Sequence, residues 1–262
     1  MTYAHAVVVG LVQGLTEFLP VSSSGHLILV PRLFGWPDQG LAIDAALHLG
    51  TLGALIAYFR AELIALVTGA LSRRLVLILV LATVPAGVTG VILGGAIEAS
   101  LRAPLLIAVT TAFWGGVMWA ADRRPPPAAA GGGDPIERVG WGQGLAIGCA
   151  QAVALIPGTS RSGITITTGL LGGLDRATAA RFSFLLGIPV TAGAGLLKAL
   201  ELLRHGLPPS DGGPLMVAIV SSFVSGWLAV WFLVHYLKQR SLLPFVLYRL
   251  ALSVVIVAAF WR

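Results

Sequence analysis

The sequence predicts an all-α integral membrane protein with six transmembrane helices and two re-entrant helical hairpins in an inverted-topology repeat. Three observations carry this. Of 262 residues, 56% are hydrophobic and only 11% charged, with a mean hydropathy of +0.89, whereas soluble domains carry about a quarter charged residues. Six runs have the length of a bilayer span, about 20 residues. Two further apolar stretches are each interrupted by proline and polar residues near their middles.

The first interrupted stretch is 5–34, broken at Pro20. Each of its halves continues for only about a dozen residues, which suits two half-helices meeting at a turn. Such backbone is tolerated at membrane depth only when buried in protein or lining a wet cavity. Spans are expected near 41–60, 75–96 and 103–121. Residues 122–140 then form a linker containing Pro125-Pro126-Pro127 and Gly131-Gly132-Gly133, a low-complexity joint. The second interrupted stretch is 141–173, broken at Pro157-Gly158, followed by spans near 178–198, 214–237 and 242–261. The domain reading is one repeat over 1–121 and another over 141–262. Three spans per half is an odd number, so the second half sits upside down relative to the first, and a site at the midplane is expected where the hairpin tips meet.

Charge distribution orients the chain, because Lys and Arg accumulate on the cytoplasmic side. One side holds Arg60, Arg73, Arg74, Arg123, Arg124, Arg138, Arg176, Arg181, Lys238 and Arg240. The other holds Arg32, Arg102, Lys198, Arg204 and Arg262, and Arg161 and Arg249 fall within the membrane. Both termini and the mouth of the first hairpin therefore face the periplasm or exterior. The net charge of +6 is scattered between apolar segments and not clustered with aromatics, which argues against nucleic acid as a partner. Cys149 is alone, which excludes an internal disulfide and a Cys-based metal site. No cleaved signal peptide is expected, since a basic n-region and an Ala-x-Ala site are missing.

The breaks carry the chemistry. QGLTEFLPVSSSGH runs from Gln13 to His26, and QAVALIPGTSRSGIT from Gln151 to Thr165; Gln to Gly spans the same distance in each, at an offset of 138 positions. Ionisable groups at membrane depth are costly and point to function. Gln13 and Glu17 are one helical turn apart, and an amide oxygen beside a carboxylate suits Mg2+ or Ca2+; Gln13 also reads as a buried hydrogen-bonding amide. Ser22, Ser23 and Ser24 lie where a helix begins, as caps or as a phosphate cradle. His26 is placed to act as general acid, base or nucleophile. Arg161 supplies a bidentate fork for phosphate, with Ser160, Ser162, Gly163 and Thr165 around it. Asp44 and His48, one turn apart at a span start, read as capping and interface residues.

These two motifs resemble the signatures of the undecaprenyl-pyrophosphate phosphatase family of bacterial membranes. Gln13, Glu17, Ser22 to Ser24 and His26 resemble its [E/Q]-x-x-x-E segment with a Ser-rich tip and His. Pro157, Gly158, Ser160, Arg161, Ser162 and Thr165 resemble its PGxSRSxxT segment. The resemblance covers nearly the whole chain. It implies the fold above, a homodimer in the bacterial cytoplasmic membrane, and hydrolysis of a C55 polyprenyl diphosphate to the monophosphate, which recycles the carrier lipid for peptidoglycan synthesis. The expected mechanism has a divalent cation on Glu17 and Gln13, Arg161 clamping the phosphoryl group, and hydroxyls as donors. Three attackers are open: a serine of the cluster, foremost Ser24 activated by His26; His26 itself; and an activated water. A lipid phosphatase of the SRx5Hx3D type is excluded, because Thr167 and Leu171 stand where it needs His and Asp. A polyprenyl-phosphate flippase, with the same broken helices, is the alternative.

Overall fold

The computed structural model describes the backbone of residues 1–36, 41–124, 133–205 and 212–260, and the side chains of these except 41–46, 98 and 197–205. Asp44, residues 125–132 of the linker, Lys198, Arg204 and Arg262 thus lie outside the described residues or side chains. Among the described residues there are eleven α-helices and one short 3-10 turn, with no strand.

The first interrupted stretch is two helices, α1 (Tyr3–Phe18) and α2 (Ser23–Phe34), separated by a four-residue turn that contains Pro20. Thr2 starts α1 by accepting from the His5 N–H at 3.2 Å, and Gly35 ends α2 in the left-handed conformation that glycine favours. The second is α7 (Trp141–Val153) and α8 (Arg161–Leu171), separated by a longer turn around Pro157-Gly158. Each pair packs together.

Five helices are long and apolar enough to cross a membrane: α5 (Arg73–Ser100), α6 (Pro104–Asp122), α9 (Arg176–His205), α10 (Gly212–Tyr236) and α11 (Leu243–Phe260). The expected first span differs. There α3 (Leu41–Tyr58) bends by 68° at the fully buried Phe59 into α4 (Arg60–Thr68). The apolar run continues through Leu63 to Val67, but Arg60 and Glu62 sit within it, and α4 turns aside where those charges occur. This is an all-α, multi-pass membrane protein. Its outer helices accordingly leave Val80, Val84, Val88, Val91 and Ile92 of α5 exposed, a face that lipid covers at no hydrophobic cost.

Backbones approach closest through glycine. A side chain at Gly10 would collide with the Ala218 backbone of α10, and one at Gly148 with the Ala82 backbone of α5. So α1 lies against α10, α7 against α5, and α6 against α11, which interleaves the chain's two halves. One end of the bundle is laced by charge. Arg176 Nε donates to Asp122 at 2.5 Å, Arg181 Nη1 to Asp134 at 2.7 Å, Arg74 to the Val139 carbonyl at 2.7 Å, and Ser72 to Glu137. These residues belong to the cation-rich side read from the sequence. Arg181 with its neighbours holds the Asp134 carboxyl below its ordinary value, chiefly through the hydrogen bond.

Candidate active site

The two turns meet. Glu17, in the last turn of α1, and Arg161, at the start of α8, form an ion pair of 2.9 Å, with Glu17 8% and Arg161 14% exposed. The other Glu17 oxygen accepts from Ser23 Oγ at 3.0 Å and Gln13 Nε2 at 3.3 Å, and stands 3.5 Å from His48 Nε2. Removing one partner of a buried pair like this one costs about 3–5 kcal/mol, so the pairing fixes the register of the halves.

Both turns share an unusual backbone. Ser22 has φ 76° and Ser160 φ 69°, the only positive-φ non-glycine residues among those described, and each directly precedes a new helix. Such conformations cost about 1–3 kcal/mol and persist where surroundings over-determine them. Thr110 donates to the Pro157 carbonyl at 2.6 Å, Thr111 to that of Gly158 at 3.2 Å, and the Gly158 N–H to Ser24 Oγ at 3.1 Å. Ser22, one of the expected caps, makes no side-chain cap bond, whereas Ser160, expected only as a donor beside Arg161, accepts from the Gly163 N–H at 3.2 Å.

The remaining expected residues divide. Ser162 donates to the Glu17 and Leu19 carbonyls, both at 3.3 Å, tying α8 to the end of α1. Thr165 donates to the Arg161 carbonyl at 2.7 Å and meets Ser183 of α9 at 2.5 Å. Gly163 leaves room for Arg249, whose Nη1 a Cβ there would approach to 3.2 Å. These three position the second turn; their polar groups face protein.

The expected Ser24–His26 pairing does not form. His26 Nδ1 lies 2.8 Å from the Ser22 carbonyl, and Nε2 2.6 Å from the Tyr248 hydroxyl. A carbonyl only accepts, so Nδ1 carries the proton. Ser24 Oγ instead meets Ser22 Oγ at 3.1 Å. Residues two apart on a helix do not face each other, whereas Ser23, six residues past Glu17, returns to it because the turn reverses the chain.

Sequence reasoning missed Tyr248 and Gly187, and it set His48 down to capping or the interface although it could assist the site. A Cβ at Gly187 would strike the Arg161 guanidinium, so that glycine makes its seat. Sequence offered a signal only for His48, one turn from Asp44.

Buried polar side-chain atoms without a hydrogen-bond partner concentrate here. Among the described residues they are Gln13 Oε1, both amide atoms of Gln151, Thr159 Oγ1, Arg161 Nη1 and Thr167 Oγ1, all on α1, α7, α8 or the second turn. A buried donor on Arg161 calls for an anionic oxygen, and a buried acceptor on Gln13 calls for a donor or a cation. A cation fits. Glu17 and Gln13 provide oxygen ligands of the kind Mg2+ takes, with substrate oxygens and water to complete its shell.

The profile described as bacitracin resistance protein BacA matches residues 6–255. This chain belongs to that family. Among its BacA relatives, undecaprenyl-diphosphatase of Trichlorobacter lovleyi is 45% identical, with 98% of this chain and 97% of the relative covered. Undecaprenyl-diphosphatase of Alcanivorax borkumensis is 47% identical, covering 100% and 99%, and that of Moorella thermoacetica 45%, covering 100% and 99%. The BacA match takes in both turns and every helix except the first residues of α1 and the last of α11.

Proposed function

We propose that this BacA protein hydrolyses undecaprenyl diphosphate to undecaprenyl phosphate and inorganic phosphate, releasing carrier lipid for cell-wall synthesis. The observation that carries the reading is the Glu17–Arg161 pair, with an unpartnered guanidinium nitrogen on one side and a serine hydroxyl on the carboxylate at the other. The names of its relatives supply the substrate. A transporter needs broken helices too, but translocation has no use for a hydroxyl held against a carboxylate.

Ser23 replaces Ser24 as the attacker, because its proton already has an acceptor. Ser23 Oγ attacks the terminal phosphorus while its proton passes to Glu17; the anhydride P–O bond breaks and lipid monophosphate leaves. Water then cleaves the phosphoserine, its hydroxyl going to phosphorus and its other proton to Ser23 Oγ, while the proton held by Glu17 leaves with the products. Arg161 grips the phosphoryl oxygens through Nη1, and donors preorganised for that charge account for much of the rate. His26, with Nδ1 fixed on Ser22, keeps Nε2 for proton transfer beside Tyr248. A divalent cation held by Glu17 and Gln13 would neutralise charge developing on the diphosphate.

For architecture, the reading is two re-entrant hairpins in an inverted repeat, 1–121 and 141–262, joined by 122–140. Supporting it, Ser22 and Ser160 stand at the same 138-position offset as Gly10 and Gly148, which pack on α10 and α5 respectively. The laced, cation-rich end is cytoplasmic, so both termini face outward, and the chain assembles as a homodimer in the bacterial cytoplasmic membrane. In a Cys149→Ala background, cysteine at Arg73 or Arg124 should be labelled only from the cytoplasm. Chemical cross-linking in the membrane tests the dimer.

The deciding experiment is phosphate release from C55 or C15 diphosphate by purified protein in detergent, with and without chelator. Release that chelator abolishes supports the reading; no release overturns it. Serine variants then identify the attacker. Ser23→Ala should abolish turnover, while Ser22→Ala, lacking one hydrogen bond, should lose about tenfold or less and Ser24→Ala, lacking two, about thirtyfold or less, each bond being worth about 1 kcal/mol. Equal losses at all three would remove Ser23 from the role.

A further inference from the structure

A second arginine stands behind the turns, and no step above uses it. Arg249 is the largest fully buried side chain, 1% exposed in the middle of the apolar α11. Its partners are all backbone carbonyls. Nε donates to Thr111 at 3.0 Å, Nη1 to Pro20 at 3.4 Å, and Nη2 to Gly158 at 3.0 Å and Thr159 at 3.1 Å. One guanidinium thus joins α6, the first turn and the second turn. Among the described residues no carboxylate pairs with it. Gly115 and Gly163 leave its slot, since a Cβ at Gly115 would lie 3.4 Å from Arg249 Cβ.

An uncompensated cation at membrane depth is costly, about 2.5–3.5 kcal/mol on insertion scales, and methionine would fill the same slot without that cost. Packing therefore does not account for an arginine here, but its acceptors do. They flank both positive-φ serines, with Thr159 immediately before Ser160 and Pro20 two residues before Ser22. The Thr159–Ser160 peptide, like every described one, is trans, so drawing the Thr159 carbonyl toward Arg249 turns the Ser160 N–H to the opposite side. A fixed array of donors is what a phosphoryl-transfer site requires, and reorganising it during the reaction would slow the step.

We propose that Arg249 is a positioning residue for phosphoryl transfer. It locks the Pro20 and Gly158–Thr159 peptides at one separation and orientation. The inference rests on the phosphatase reading above.

The test compares Arg249→Lys and Arg249→Met, full length in detergent, by turnover of C15 diphosphate, thermal midpoint and amide hydrogen exchange. With Met, kcat should fall about a hundredfold with KM within about threefold. Exchange should rise at 19–25 and 157–163 and stay unchanged in the outer helices. Lys keeps the charge and should recover about tenfold over Met, yet one ammonium cannot bridge three segments, so both turns should still exchange faster than in wild type. Kcat within threefold of wild type in the Met variant would overturn the proposal. So would exchange that rises throughout the chain in both variants, which makes Arg249 a general fold element. If wild-type protein releases no phosphate, the phosphatase reading fails, while the exchange pattern still judges the clamp.

Discussion

At the first turn, one carboxylate gathers Ser23, Gln13, His48 and Arg161, so the negative charge there is crowded with donors. At the second, Arg161 uses one nitrogen on Glu17 and leaves Nη1 without a partner, and Thr159 Oγ1 is unmatched too. The backbones are alike: a helix ends, a serine takes positive φ, and a helix begins at the next residue. The difference lies in which charge each turn carries. On the proposed reading the two turns divide the chemistry, with carboxylate and hydroxyl on the first and guanidinium on the second, and neither turn alone is electrically balanced.

Glu17→Gln attacks the division at its most crowded point and should have the largest effect. It keeps the shape but removes the charge that offsets Arg161, at about 3 kcal/mol of stability, and takes the proton acceptor from Ser23. Turnover should fall below detection at every metal concentration; normal turnover with normal metal dependence would make Glu17 structural. Next comes Arg161→Lys, which keeps charge on the second turn and loses the fork. About a hundredfold loss in kcat/KM is expected with an unchanged thermal midpoint, and activity within threefold of wild type would end the grip assignment.

Gly187→Val is subtler. The nearest atoms its Cβ meets are the end of the Arg161 side chain, so activity should fall about tenfold, as for other small misplacements of a catalytic contact, and the midpoint should fall only as far as the Glu17 pair is strained. Full activity would mean that Arg161 works from another position. The smallest effect sharpens the comparison by contrast. Asp134→Asn breaks a charge pair at the laced end, far from either turn, and should leave kcat and KM alone. Because Arg181 holds the Asp134 carboxyl below its ordinary value, that pair stabilises the protein above the unfolded carboxyl's range near pH 3.9 and is lost as pH falls through the lower folded value. The gap in midpoint between variant and wild type should therefore be present at neutral pH and close in acid. A gap that widens with acid would reverse the sign and refute the pairing.

Much of this was legible in the sequence, for reasons that mark where legibility ends. Pro20 and Pro157-Gly158 announce the breaks because proline and glycine act locally, and span lengths follow from bilayer thickness. Glu17 and Arg161 stood out because charge in an apolar run is itself a signal. The bend at Phe59 was not read, since Arg60 and Glu62 mark the end of an apolar run without saying that a further helix turns aside there. His48 reads as a cap residue until folding carries it to Glu17. Tyr248 and Arg249 meet His26 and the turns across more than 200 positions, or across α6, and no periodicity encodes such encounters. Proximity in sequence also misled. Ser24 and His26 are two residues apart and point to different sides, while Ser23 and Glu17 meet through the turn between them.

The ion pair across the turns has a consequence for how the protein is made. Its carboxylate leaves the ribosome early and its guanidinium late, so the nascent first half enters the membrane with a buried negative charge awaiting its match. Chemistry is withheld from that half until translation has delivered the second, and a chain truncated after α6 would be silent toward lipid however well it inserted. Two polypeptides divided within 122–140 and synthesised together should restore turnover, since what the site demands is that the halves meet and not that a peptide bond connect them.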